Sequence, residues 1–455
     1  SQSTIHTFLE ISILHNINPF CSNNSYTMRF FSETFGFAER DYATTQFQLL
    51  EIATIQPLPP TKEVPYPREE CHFHLKDGRH VSAGIFSFPS VNELRSHVDQ
   101  ALSSHTTAST TTTTNPPPSL PQQNCGSSCR VQVSNIRGES RSMHSTLGPA
   151  GGVVQVASQF NLLEFPSPNV IPEQGISGYI HDRTQGPNCA VAVAAATAYR
   201  NYLVPVPFPT GTTEEDTTTD GESTTAATCT PPTNLDSDTQ RGQVASNQLN
   251  GLADIEQWFV NTLALESSPW TVRNGYIESS KSALHPVQEW LTTCQTTSSS
   301  DTIDEHSDDC EYVTSLLRIG VHQDATITDI PSFDQTVTHT YNSALSIGYS
   351  KHVSTEQWEP LAKLVLKGTY EATLLVGILE AVRAKSHHKP IPPIYLTKVG
   401  GVVFGNQQRW ICEAIQHAID RTTRYSQHLG VDLDVRIVHY GKIDSTYRSL
   451  ESFSK

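Results

Sequence analysis

Basic side chains are scarce in this chain: 30 Lys and Arg stand against 46 Asp and Glu, giving a formal charge of -16 at pH 7. The imbalance is local. Thr210 to Gln240 and Gln295 to Glu311 carry acids with no Lys or Arg, and the rest of the chain is near neutral. A direct basic groove for nucleic acid is therefore not expected, whereas a compact anion site made of backbone donors suits this balance. Long apolar runs are missing too, and none has the length that spans a bilayer, so no membrane partner is expected. Nine cysteines occur without a dense framework and in odd number, as in a reducing compartment, which points to the cytoplasm or nucleus. Cys125 and Cys129 lack a second ligand pair at zinc spacing, and no motif calls for a metal or a cofactor. Hydrophobic residues make up only 36% of the 455, so much of the chain is not core.

The organisation follows from where apolar patterning stops. Residues 1–27 are polar and irregular; with Met28 as a start they form an extension with room for an organellar targeting peptide. Residues 28–101 read as a small α+β module: a cluster of phenylalanines, two strands joined at Asp77-Gly78, a favoured hairpin turn, and a helix from Val91 to Ala101. A protein partner is its natural ligand class. Residues 102–129 are Thr, Ser, Pro and Gln, which bury too little surface to offset ordering entropy. The main domain runs over 130–445, interrupted by low-complexity acidic insertions at 210–240 and 295–311.

Within it, Val131 to Ile136 alternates as a strand turned at Arg137-Gly138-Glu139, and Gly151 to Ala157 is an apolar strand whose end carries Ser158 and Asn161. Ligands sit at such strand ends in open α/β sheets. His181-Asp182-Arg183-Thr184-Gln185-Gly186-Pro187-Asn188-Cys189 opens an alanine-rich helix to about Tyr202, with Gly186-Pro187 a helix start of the anion-binding kind. Gln335 to Tyr349 and Trp358 to Arg383 read as helical, and Val435 to Val438 as the last strand. The alternation predicts an α/β sandwich around a mixed sheet.

The most informative stretch is Pro392 to Gly430. Ile394 to Thr397 is a short buried strand, Gly400-Gly401-Val402-Val403-Phe404-Gly405-Asn406 a glycine-rich turn, and Trp410 to Ile419 recurs at helical spacing, with Asn406 placed to cap the helix and Gly430 to end it. Glycines let backbone N–H groups approach an anion, and the helix start adds positive dipole. No Lys-Ser/Thr follows the last glycine and the G-x-G-x-x-G order is absent, so neither of the two commonest phosphate loops applies.

These residues resemble the macrodomain family, which binds ADP-ribose. Leu396 to Trp410 is similar to the family's second phosphate loop, Thr184 to Cys189 to its first glycine-rich loop, and Val153 to Asn161 to its first strand, whose end carries an asparagine on the distal ribose. The resemblance implies a macrodomain-like three-layer sandwich. It places Glu139 on the adenine amino group, Tyr440 on the adenine face, and Ser158 or Asn161 at the distal ribose. Arg183, Thr184, Gly186, Pro187 and Asn188 would join Gly400 to Asn406 around the pyrophosphate. For hydrolysis of an ADP-ribosyl linkage it implies Asp182 as base, with Gln185, His181 and Asn161 orienting the reacting groups. The ligand would be ADP-ribose or an ADP-ribosylated protein or nucleic acid. The first loop lacks the family's consecutive glycines, and the signature of three glycines followed by Gln-Glu-Glu is absent, departures that weigh on catalysis more than on binding.

Two other readings follow from the same residues. One is a reader module that binds ADP-ribose or a related dinucleotide without turnover. The other is a papain-like cysteine hydrolase, because Gln185 precedes Cys189 at a helix start. His322, His339 or His439 would then be the base and Asp324 or Asn342 its orienting group.

Overall fold

A computed structural model describes residues 29–110, 130–148, 150–207, 239–297 and 305–451. The 1–27 extension, most of the linker and of the 210–240 insertion, and the middle of the 295–311 insertion lie outside the described residues.

One mixed sheet carries the architecture. Its strands are β1 (Ala53–Leu58), β2 (Arg68–His74), β3 (His80–Ser87), β4 (Val131–Arg137), β5 (Val153–Ala157), β6 (Gly320–Thr326), β7 (Thr336–Asn342), β8 (Ile394–Leu396) and β9 (Leu433–His439), in the order β1-β2-β3-β6-β7-β5-β8-β9-β4. From β7 to β4 the neighbours are parallel; from β1 to β7 they are antiparallel. The sequence explains the division. β5, Val-Val-Gln-Val-Ala, is apolar on both faces, as a strand inside a parallel sheet must be. β9 alternates, burying Leu433, Val435 and Ile437 on one side only.

Helices cover both faces. They include α1 (Val91–Thr110), α2 (Ser140–His144), α3 (Gln185–Ala192), α4 (Thr355–Ser386) and α5 (Gln408–Leu429). Val153, Ile394, Leu396 and Val435 share a core with Leu364 and Leu375 of α4 and Ile411 and Ile415 of α5. Val154, Val156 and Tyr395 face the other way, onto Cys189 to Ala196 and the phenylalanines of the N-terminal residues. α4 starts at a full capping box between Ser354 and Gln357. α5 ends at Gly430 in the left-handed conformation, as expected.

Several expectations are corrected here. Gln335 to Tyr349 is not the expected helical segment: Thr336-Val-Thr-His-Thr-Tyr-Asn, rich in β-branched residues, is the strand β7 beside β5, and only Ile347–Tyr349 forms a single 3-10 turn. Residues 28–101 do not stand apart as a module. Their hairpin at Asp77-Gly78 is present, but β3 pairs with β6 and the N–H of Val91 donates to the Leu317 carbonyl, so these residues extend the main sheet. The end of the 295–311 insertion is helical, from Glu305. Asn406 does not cap α5; Gln407 is the N-cap residue, without a side-chain bond.

Candidate functional site

Four parallel strands, β4, β9, β8 and β5, end at one cleft of about 440 Å³. Gly138 and Glu139 follow β4, Tyr440 follows β9, Thr397 to Phe404 follow β8, and Ser158 and Gln159 follow β5; all line it. This is the carboxyl edge of the sheet, where loops of an open α/β fold meet.

The glycine-rich turn after β8 is fixed at its base and open at its tip. Tyr370 of α4 donates its hydroxyl to the Thr397 carbonyl and accepts from the N–H of Val399. Gly400, at φ 71°, is a position only glycine takes without strain. The buried Asn406 donates to the carbonyls of Leu345 and Gly400. The Phe404 carbonyl accepts from the N–H of Gly348. Between these anchors, the N–H groups of Val402, Val403 and Phe404 make no hydrogen bond among the described residues. Consecutive unpaired N–H groups on a turn form an anion-binding concavity. Lys398, which also lines the cleft, is the nearest cation in sequence. Gly405 and Asn406 stand behind the turn and do not line the cleft.

α3 forms the facing wall. In its first turn Pro187 has no N–H and that of Asn188 donates to the Thr184 carbonyl, while those of Gln185 and Gly186 make no hydrogen bond among the described residues, the Thr184 side chain making no cap bond. Gly186 is required by packing: a Cβ there would overlap the carbonyl oxygen of Ala157 at the end of β5. Gln185, expected to orient the reacting groups, instead clamps helix to strand. Its Oε1 accepts from the N–H of Ala157 at 2.7 Å and its Nε2 donates to the Gln155 carbonyl at 2.8 Å. Asp182 lines the cleft, half-buried, with Oδ1 accepting from the Thr184 N–H at 2.8 Å. Arg183, Thr184, Gly186, Pro187 and Asn188 also line it.

Besides Gly405 and Asn406, two further expected site residues are elsewhere. Asn161 is buried in the loop after β5, where Nδ2 donates to Gln248 and Oδ1 accepts from the N–H of Leu163. It does not line the cleft, and neither does the exposed His181. Of the two strand-end candidates, the cleft takes Ser158. Its hydroxyl donates to Glu164, which forms a buried pair with Arg200 at 3.0 Å.

At the opposite end, Glu139 is the N-cap of α2. Burial raises its pKa, but the N–H groups of Ser142 and Arg141 outweigh this and hold the carboxyl below its ordinary range. Oε1 also accepts from Asn188 Nδ2 at 2.9 Å, tying α2 to α3. Tyr440 stands at the mouth, 83% exposed.

The thiol nucleophile is corrected. Cys189 is fully buried and burial pushes its pKa up; its sulfur accepts from Gln185 Nε2 at 3.3 Å. His322 bonds to the Ala83 carbonyl, His339 to His144 and Tyr341, and His439 to Asn135. Asp324 pairs with Arg383, and Asn342 donates to Thr340. No histidine bonds to Cys189 among the described residues.

Sequence reasoning passed over Tyr276 and Tyr349, which line the cleft with Phe404. Ring centroids lie 5.0 Å apart for Tyr276 and Tyr349 and 5.4 Å for Tyr276 and Phe404. Tyr349 follows the end of β7, and the strand-end rule that singled out Ser158 would have found it had β7 been read as a strand. Among the described residues no helix is long and apolar enough to cross a membrane. Comparison of the chain with family models, curated proteins and solved structures gives no match.

Proposed function

We propose that the protein binds ADP-ribose, free or attached to a protein or nucleic acid, and that its fold is macrodomain-like. The observation that carries this reading is the row of unpaired N–H groups from Val402 to Phe404 in a cleft also lined by Gln185 and Gly186, whose N–H groups at the start of α3 make no hydrogen bond among the described residues. Two facing sets of backbone donors suit a pyrophosphate. The cleft extends beyond them in both directions, so the ligand carries a group at each end. Tyr440, an exposed ring, and Glu139, an ionised acceptor, suit an adenine on one side. Ser158 and Asp182 suit the hydroxyls of a distal ribose on the other. Hydrolysis of an ADP-ribosyl linkage, with Asp182 taking a proton from the attacking water, is the activity assigned to the site.

A non-catalytic reader is the second reading, and one observation favours it. Gln185, Asn161 and His181, the groups needed to orient the reaction beside Asp182, are either committed to backbone or outside the cleft.

Calorimetric titration with ADP-ribose tests the binding reading. The expected result is micromolar affinity, weakened at least about tenfold in Val402→Glu, whose carboxylate would oppose the pyrophosphate from a side chain now 82% exposed. Absence of heat with ADP-ribose would remove the reading. Release of ADP-ribose from modified substrates, lost in Asp182→Ala while affinity persists, separates enzyme from reader.

A further inference from the structure

The Asp182 end of the cleft has a composition of its own. Phe165, Pro166, Tyr276, Tyr349 and Phe404 form its wall. Tyr276 is buried behind the other two rings, its hydroxyl spent on the Phe165 carbonyl at 2.7 Å. Tyr349 and Phe404 are half-buried and stand nearly perpendicular, at 86°, with centroids 5.9 Å apart. A flat ring laid on one of them would meet the edge of the other, the arrangement aromatic groups prefer. Asp182 lies close enough for its charge to bear on the phenols of both Tyr276 and Tyr349. Of the charged residues at this wall, Glu164 is buried and paired with Arg200, which leaves Asp182 and the exposed Arg183 for a flexible side chain.

We propose that the group attached to the distal ribose is a planar heterocycle, a nicotinamide or a nucleobase, held on the Tyr349 and Phe404 rings. This rests on the ADP-ribose reading, since the rings lie past the position that reading gives to the distal ribose. Asp182 beside the rings adds attraction for a heterocycle that is cationic as a glycoside. The substrate class is then an N-glycoside joining ADP-ribose to a planar heterocycle, distinct from amino-acid side-chain esters and ethers, which offer the wall no ring to stack.

The test is calorimetry with ADP-ribose, NAD and ADP-ribosyl-arginine, the last supplying a cation without an aromatic ring. NAD is expected to bind about tenfold more tightly than ADP-ribose, the gain that stacking one base on an aromatic side chain brings, and ADP-ribosyl-arginine to show no such gain. Tyr349→Ala is expected to bring the NAD to ADP-ribose ratio to one, and Tyr349→Phe to keep it. Because the readout is a ratio within each variant, a general loss of affinity does not imitate it, and Phe404→Leu provides a second variant should Tyr349→Ala fold poorly. If ADP-ribose binds and NAD binds no better, the heterocycle is wrong while the cleft assignment stands. If none of the three binds, both fall.

Discussion

His144 Nε2 lies 2.8 Å from His339 Nε2, and this buried contact joins the short helix that opens at Glu139 to the middle of the sheet. The partners fix the protons. His144 Nδ1 sits 2.6 Å from the Ser140 carbonyl, which only accepts, so Nδ1 carries the hydrogen and Nε2 accepts from His339. His339 Nδ1 is then the acceptor for the Tyr341 hydroxyl at 3.0 Å. Both rings are neutral in this chain of bonds. Burial is the main cause that lowers each pKa below the ordinary value; for His339, the repulsion that a proton on His144 would bring and the charge of Arg200 add to it.

A pH dependence of stability follows. The unfolded chain takes up protons on these histidines as pH falls through about 6.5, while the folded protein refuses them. Stability is therefore full above about pH 7 and falls below it, by about 1.4 kcal/mol per pH unit for each histidine held neutral. Urea unfolding between pH 7.5 and 5.5 should show the loss. His339→Asn is expected to flatten the slope whatever it does to stability at pH 7.5; an unchanged slope would place the proton uptake elsewhere.

Gly186 offers a packing test of the wall that faces the glycine-rich turn. It lets α3 touch the carbonyl of Ala157, and the Glu164 Cγ lies 3.1 Å from where a Cβ would be. Gly186→Ala gains helix propensity yet is expected to lose about 1–3 kcal/mol, because backbone must move to admit the methyl. Chemical denaturation measures it, and a stabilised variant would mean that helix and strand can separate freely.

Which parts of this were legible in the sequence follows a physical line. The turn at Gly400 to Asn406, the helix start at Gly186-Pro187 and the strand ending at Ser158 were all visible because local chemistry dictates them: a positive φ, a proline, a run of valines. β7 was not, since Thr336 to Asn342 declares itself by β-propensity alone and its pairing partner β5 is distant in sequence. Nor was the use of polar groups. Whether Gln185 or Asn161 faces a ligand or a backbone amide depends on which strand lies beside it, and no spacing records that. The same holds for the sheet edge. β3 pairs with β6 across more than two hundred residues, so the N-terminal residues looked separable when read alone.

Cys189 tests the rejected nucleophile directly. A thiol buried against alanines, with its pKa pushed up, is slow to alkylate because the thiolate is the reactive form. Iodoacetamide on the native protein, followed by peptide mapping, should label the half-buried Cys412 well before Cys189. Cys189→Ala is expected to leave ADP-ribose affinity and any turnover unchanged. Rapid labelling of Cys189 coupled to loss of activity would restore the thiol to the mechanism.

Tyr440 separates binding from folding most cleanly. Its ring is 83% exposed at the cleft mouth, and surface substitutions of this kind alter stability by about 0.5 kcal/mol or less. A base stacked on an aromatic ring is worth about 1–3 kcal/mol. Tyr440→Ala should therefore leave the unfolding midpoint in place and weaken ADP-ribose about tenfold or more, while Tyr440→Phe keeps the affinity because the stacking face is retained. AMP, which carries the adenine but no distal ribose, should lose affinity in Tyr440→Ala to the same degree. Should AMP be unaffected while ADP-ribose weakens, the ring would be serving the far end of the ligand, and the assigned direction of the ligand along the cleft would be reversed.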